Sequence, residues 1–289
     1  MPNRNIIFHL GYPKCASSLL QKNLFSKCDD FLFITSNELN NVTGKLELNS
    51  LNKDSILYKK ILDFVNGNLS LKDEIIKNLN KRIKQYKGRI IFSSEWITAS
   101  RFVKNTPKER VKLLCEILPK DAKIVLVIKR HEDLINSLYR DNQSSFSKNI
   151  YISADEFVEE ILNDRLIQRF FYSDIYIEIS KKVDESNIYL YELQKTKSDD
   201  ICKRVNDDLR IIDNKDIENL TLNEGITNSQ YIYLFVLKKF LFIKKLFPKS
   251  LYLKIHYRIL KILKFGQKYK VKTSYKTKNK IKKKFENDW

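Results

Sequence analysis

Alternating strand-like and helix-like segments predict an α/β fold: a central parallel sheet flanked by helices, followed by a helical basic C-terminal region. Three observations carry that prediction. Short strand-like runs rich in β-branched and aromatic residues lie at 6–10, 89–92 and 123–128, separated by amphipathic helical patterns such as 70–86 and 107–118. The first run empties into a short loop that carries one lysine and two serines. The chain has 289 residues, 43% of them hydrophobic, enough to bury a substantial core as one large domain.

The first strand and its loop read IIFHLGYPKCASSLLQ. Ile6, Ile7, Phe8 and Leu10 suit a buried strand, Gly11 and Pro13 set a tight turn, and Ser17 and Ser18 stand where a helix begins. Unpaired amides at a helix start, with Lys14 beside them, make an anion site, so the segment predicts phosphate binding. An exposed turn lysine would need neither Gly-x-Pro before it nor paired serines after it. A Walker A loop solves the same problem with G-x-x-x-x-G-K-[ST], and this segment lacks that pattern: Lys14 lies three residues after Gly11 and no glycine precedes it directly.

GYPKCASSLLQ instead resembles the 5′-phosphosulfate loop of sulfotransferases that use 3′-phosphoadenosine 5′-phosphosulfate, whose usual form is G-x-P-K-[ST]-[GA]-[ST]-[ST]-x-L. A second element, KIVLVIKRHEDLINSLYRD, has an apolar strand ending in Lys129 and Arg130, with Ser137 seven residues on in a helix. Arg130 and Ser137 resemble the pair that binds the nucleotide 3′-phosphate in that family, and a guanidinium fork with a neighbouring hydroxyl suits a phosphate. Third, the strand at 89–92 delivers Ser93, Ser94 and Glu95, similar to the S-S-E of bacterial carbohydrate sulfotransferases. The fourth and weaker match is IYLYELQ at 188–194. Together the matches span residues 5–195. Cys15, Ala16, Ser17 and Ser18 replace the commoner Thr/Ser-Gly-Thr-Thr, and His131 follows Arg130 where many members have Asn-Pro.

The resemblance implies a P-loop-like sheet and transfer of a sulfuryl group from 3′-phosphoadenosine 5′-phosphosulfate to an acceptor hydroxyl, without a metal. It implies donor binding by Gly11, Lys14, Cys15, Ala16, Ser17, Ser18, Arg130 and Ser137, with Glu95 and Lys14 as catalytic residues. A carboxylate after a strand is more often a helix-start charge or ion-pair partner, so Glu95 owes its role to the resemblance. His9, on the strand entering the loop, reads as a core residue. The implied acceptor is a glycan or lipid-linked glycan. The alternatives are a P-loop-type nucleotide-dependent kinase and a non-enzymatic membrane- or nucleic-acid-binding protein carried by the basic end.

Residues 231–289 hold seventeen lysines and one arginine against Glu286 and Asp288, a net +16 out of the total +19. Lysine pairs alternate with apolar and aromatic pairs, as in helices with one apolar and one cationic face, and Pro248 divides two of them. Core helices, nucleic-acid binding and an anionic lipid surface all fit this segment; the first and third are favoured, because charge comes without a nucleic-acid-binding motif. The predicted division is a sulfotransferase domain over 1–267, with 231–267 as basic amphipathic helices, and a loosely ordered basic tail over 268–289. Since every donor-binding element precedes residue 140, removal of 268–289 is expected to leave donor binding intact.

Residues 36–55, rich in Asn, Leu and Ser, read as an acceptor-side loop, and Ser153-Ala154-Asp155-Glu156 as a capping box. The four cysteines are scattered, with no C-x-x-C and no histidine at ligand spacing, which predicts neither a disulfide framework nor a zinc site. Without a signal-peptide pattern or eighteen consecutive apolar residues, the sequence predicts a cytoplasmic protein, peripheral at the inner membrane face.

Overall fold

The computed structural model describes residues 6–27, 31–34, 55–85, 89–99, 105–144, 153–163, 167, 170–193, 199–212, 258, 259, 262, 271 and 273–288. The expected acceptor-side loop lies outside them apart from Ser55, as do the helices expected over 231–267 apart from Arg258, Ile259 and Ile262. The chain divides into two compact units: Met1–Arg130 with Arg165–Leu222 and Phe285–Trp289, and His131–Asp164 with Asn223–Lys284.

The first unit is a five-stranded parallel sheet. β1 (Ile6–Gly11) is central; β3 (Arg89–Ser94) and β4 (Ala122–Ile128) flank it; β2 (Phe31–Ile34) and β5 (Ile188–Glu192) form the edges. All six residues of β1 are buried, as a strand covered on both faces requires, while β5 has only Tyr191 buried, as suits an edge. β2, a four-residue FLFI run, has no counterpart in the sequence reading; the other four strands fall where they were expected.

Registers align the carboxyl ends. Leu10 lies opposite both Ser94 and Leu126, and Gly11 opposite Val127. The order β2-β3-β1-β4-β5 sends the chain leaving β1 toward β2 and the chain leaving β4 toward β5, so their carboxyl ends flank a topological switch point, where open α/β sheets place their ligands.

Helices α1 (Ser17–Asn23), α2 (Ser55–Val65), α3 (Lys72–Gln85), α4 (Trp96–Ala99) and α5 (Pro107–Ile117) follow in order in this unit. Thr106 caps α5 in a reciprocal box with Glu109, and Pro107 occupies the first turn, where its missing N–H costs nothing. The second unit contains α6 (His131–Ser144) and α7 (Ala154–Asn163), and the first resumes with α8 (Tyr172–Ser180) and α9 (Asp199–Leu209). α5 packs on α2, α4 and α8, and α4 lies on β1.

In the second unit the expected capping box starts α7: the Glu156 amide donates to Ser153 Oγ at 3.2 Å and the Ser153 amide to the Glu156 carboxylate at 3.3 Å. α7 buries Phe157, Val158 and Ile161, with Phe157 5.6 Å from the Tyr139 ring of α6.

The basic end is a correction to the sequence reading. Residues expected as a loosely ordered tail form α10 (Tyr275–Lys284), which packs on α6 and α7. Ser274 Oγ caps it by accepting from the Thr277 amide at 3.2 Å, and the Ser274 amide donates to Asp155 at 3.0 Å, which holds the Asp155 carboxyl below its ordinary value. Thr277 and Ile281 are buried, four residues apart on one face. Lys278 and Lys280 pair with Glu132 and Glu159, so part of the charge expected to face a partner is matched internally. Ten lysine-rich residues mask a narrow buried face of Thr277 and Ile281, which is why polarity read as disorder.

Candidate functional site

The loop after β1 is built around two left-handed residues. Lys14 has φ 64° and Ala16 φ 62°, a conformation that costs a side-chain-bearing residue about 1–3 kcal/mol and persists only where its surroundings impose it. The Cys15 amide closes the turn on the Tyr12 carbonyl at 3.1 Å, and the Ala16 carbonyl accepts from Leu19 and Leu20, starting α1. Gly11 is required by space: a Cβ there would stand 2.0 Å from Ser17 Oγ and 2.8 Å from Ser17 Cβ. Ala16, at the start of α1, supplies no side-chain cap. With only seven residues, α1 has a small macrodipole, so the loop and Lys14 dominate the local field.

Lys14 is exposed at the loop's tip, and Ser18 is half-buried in the first turn of α1. Ser17 departs from expectation. Its hydroxyl is buried and donates back to the Tyr12 carbonyl at 3.4 Å, bracing the loop from beneath rather than facing a ligand. Cys15 is fully buried, so it can contribute to an anion site only through its backbone. Burial pushes its thiol up to about 12, Lys129 pulling it down and Glu95 pushing it further up. The registers place Glu95, directly after β3, and Lys129, directly after β4, at the strand ends that flank β1.

Several buried groups hold the floor of this site. His9 Nδ1 lies 2.7 Å from Ser93 Oγ, which also accepts from Gln21 Nε2 at 2.8 Å. Burial lowers the His9 pKa to about 3, so the imidazole stays neutral, while its Nε2 has no hydrogen-bond partner. Ser94 Oγ accepts from the Trp96 amide at 3.2 Å and pairs with Tyr58 at 3.0 Å, and Thr98 donates to the Gly11 carbonyl, tying α4 to the loop. Buried Arg110, its pKa lowered to about 10 by desolvation, donates to the Trp96 carbonyl. Glu95 is half-buried between these anchors.

Arg130 is exposed at the end of the first unit and donates through Nε to Glu192 at 3.2 Å. Ser137, in the second unit, donates to the Asp133 carbonyl at 2.8 Å and accepts from Arg140 at 3.3 Å. Each is thus engaged within its own unit. Among the described residues no group of three or more His, Cys, Asp or Glu could hold a metal ion, and no helix is long and apolar enough to cross a membrane.

The sequence reading missed the supports: Gln21, Thr98, Tyr12, Tyr172 and Asp288. Tyr12 is buried, its hydroxyl unpartnered, with its ring 4.7 Å from that of Tyr172 in an edge contact. Tyr172 donates its hydroxyl to the Lys129 carbonyl at 2.8 Å. These contacts join positions 40 to 160 residues apart, and only the buried Tyr12, inside the loop itself, left a local trace.

Fold and site define a class: a parallel α/β protein with a left-handed, lysine-tipped loop at the carboxyl end of its central strand. No family model matches the chain, and no curated protein does. Among solved structures it is similar to a sulfotransferase from Alicyclobacillus acidocaldarius, with TM-score 0.46 and 11% identity over 76% of this chain and 87% of that one. It is also similar to mouse sulfotransferase SULT7A1, whose crystal structure is a complex with PAP, with TM-score 0.37 and 18% identity over 81% of this chain and 64% of that one. The chain thus spans less than two thirds of the mouse protein's length.

Proposed function

We propose that this protein transfers a sulfuryl group from 3′-phosphoadenosine 5′-phosphosulfate to a hydroxyl of a glycan or lipid-linked glycan. The observation that carries the reading is the β1 loop, with Gly11 admitting the close turn, Lys14 and Ala16 left-handed, and Glu95 and Lys129 on the adjoining strand ends. These residues fit a donor with a 5′-phosphosulfate. Its phosphate would meet the amides of the Lys14–Ser18 segment and the Ser18 hydroxyl, with Arg130 and Ser137 held for the 3′-phosphate. When bound, the donor supplies the sulfuryl group, whose bond to the bridging oxygen breaks as the acceptor oxygen bonds to sulfur.

Lys14 stabilises the charge that collects on that bridging oxygen, and Glu95 takes the acceptor's proton. Such transfers pass through loose transition states with little covalent work for the protein, so fixed charge and position dominate. His9 is a poor base beside Glu95, because it is buried away from an acceptor and its lowered pKa leaves it only weakly basic. The basic residues of 231–289, among them exposed Lys276, Lys282, Lys283 and Lys284, would hold the protein at an anionic membrane surface where a lipid-linked acceptor is met.

The test is a thermal-shift and calorimetric comparison of adenosine 3′,5′-bisphosphate with ATP plus magnesium. Stabilisation by the bisphosphate in the absence of metal supports the reading. Preference for ATP plus magnesium replaces it with a kinase.

A further inference from the structure

The last residues of the chain reach the candidate donor site through a single tyrosine. Phe171, at the start of α8, supplies no side-chain cap. Asp288 does so from 116 residues away: one carboxylate oxygen accepts from the Tyr172 amide at 2.9 Å, and the other from the Ser173 amide at 3.0 Å and the Ser173 hydroxyl. Asp288 is buried, and Phe285 beside it is buried against Phe171, ring centroids 5.3 Å apart, and Phe170 at 6.4 Å. A buried carboxylate satisfied by three donors is a costly group to place and is held firmly once placed.

The capped residue touches both sides of the site. The Tyr172 ring meets Tyr12 inside the β1 loop, and its hydroxyl bonds the carbonyl of Lys129 at the end of β4. Tyr12 is itself buried and one residue from Gly11. Fixing the Tyr172 amide therefore fixes the strut between the loop and the β4 end.

We propose that Asp288 is a positioning residue for the donor site, setting the β1 loop through Tyr172 and Tyr12. This rests on the donor reading for its functional consequence, but the coupling itself is a property of the fold. It predicts, against the expectation that removal of 268–289 leaves donor binding intact, that losing the segment removes the cap and loosens the loop.

The experiment compares the full chain with Asp288→Ala, Asp288→Asn and, as a control, exposed Glu286→Gln. Three readouts are taken on each: alkylation rate of Cys15 mapped by peptide mass spectrometry, amide exchange over residues 12–18, and affinity for adenosine 3′,5′-bisphosphate. Cys202, buried in α9, serves as the internal control thiol. Asp288→Ala should raise Cys15 alkylation and loop exchange about ten- to a hundredfold and weaken bisphosphate binding about tenfold, with Cys202 unchanged. Asp288→Asn, which keeps the shape and part of the bonding, should fall between it and the wild type, and Glu286→Gln should match the wild type.

Faster exchange at Tyr172 and Ser173 with the loop unchanged would make Asp288 a local cap and overturn the proposal. So would loss of folding in both Asp288 variants, or equal acceleration at Cys15 and Cys202. If the wild type ignores the bisphosphate while Cys15 and the loop respond as expected, the donor reading fails and the coupling stands.

Discussion

The β1 loop and the chain's end are built in opposite ways. The loop takes its shape chiefly from its own residues and is then braced from outside by Thr98 and Tyr172: Gly11 makes room, Lys14 and Ala16 turn left-handed, and Ser17 closes back on Tyr12 five positions away. The segment from Ser274 to Asp288 takes its place from others: Ser274 leans on Asp155, Lys280 on Glu159, Phe285 on Phe171, and Asp288 on Tyr172 and Ser173. A self-made shape writes a motif into the sequence, whereas a borrowed one leaves only scattered contact residues among lysines. Chemistry can be read from the first kind of segment, while the second kind shows only charge.

Ways to break that contrast begin beside the loop. Glu95→Gln keeps the shape and removes the base, so turnover should fall about 10²–10⁴-fold with bisphosphate affinity near wild type, measured by steady-state kinetics and calorimetry. Full activity in this variant would end the assignment of Glu95. At the chain's end, Ile281→Ala leaves a cavity at a site 3% exposed and should cost about 2–5 kcal/mol in urea unfolding. A cost near zero would return the segment to the loosely ordered tail the sequence suggested.

Gly11→Ala should cost about 1–3 kcal/mol, because the new methyl meets Ser17 Cβ as well as its hydroxyl. Adding Ser17→Gly should recover most of that loss, and failure to recover would mean that the loop's shape does not depend on this approach.

The buried His9 makes the floor of the loop sensitive to acid. Its pKa is lowered from 6.5 to about 3, so the unfolded chain binds a proton that the folded one refuses. The stability it contributes is complete above pH 6.5 and is lost as pH falls toward 3, at up to about 1.4 kcal/mol per pH unit. Urea midpoints at pH 7 and pH 5 should therefore differ by more in the wild type than in His9→Gln; equal differences would refute a buried neutral imidazole. The smallest effect belongs to Lys280→Ala, since an ion pair with both partners about 40% exposed is worth less than about 1 kcal/mol. A larger loss would show that charge pairing, rather than Ile281, seats α10.

Much of the sheet was legible because buried parallel strands are nearly continuous apolar runs, as at 6–10, 89–92 and 123–128 apart from His9, Arg89 and Lys123, while IYLYELQ at 188–194 was legible only through the family resemblance. β2 was not, since four residues of FLFI carry no periodicity that separates strand from helix. The Ser153 capping box was legible because both partners lie within four residues. Gln21 on Ser93 and Asp288 on Tyr172 were not, because contacts across 72 and 116 positions leave no local pattern. At the site, sequence named Gly11, Lys14, Ser17 and Glu95 from a local motif, but a hydroxyl in such a motif looks outward-facing, and only packing reveals that the Ser17 hydroxyl turns inward onto the Tyr12 carbonyl.

The left-handed turns at Lys14 and Ala16 have a further consequence, in time rather than in energy. On the proposed reading, a loop already shaped in this way would need no refolding before the donor's phosphate settled on it. Arrival would then be paced by diffusion and by the attraction of a chain carrying +19, and added salt would slow the encounter.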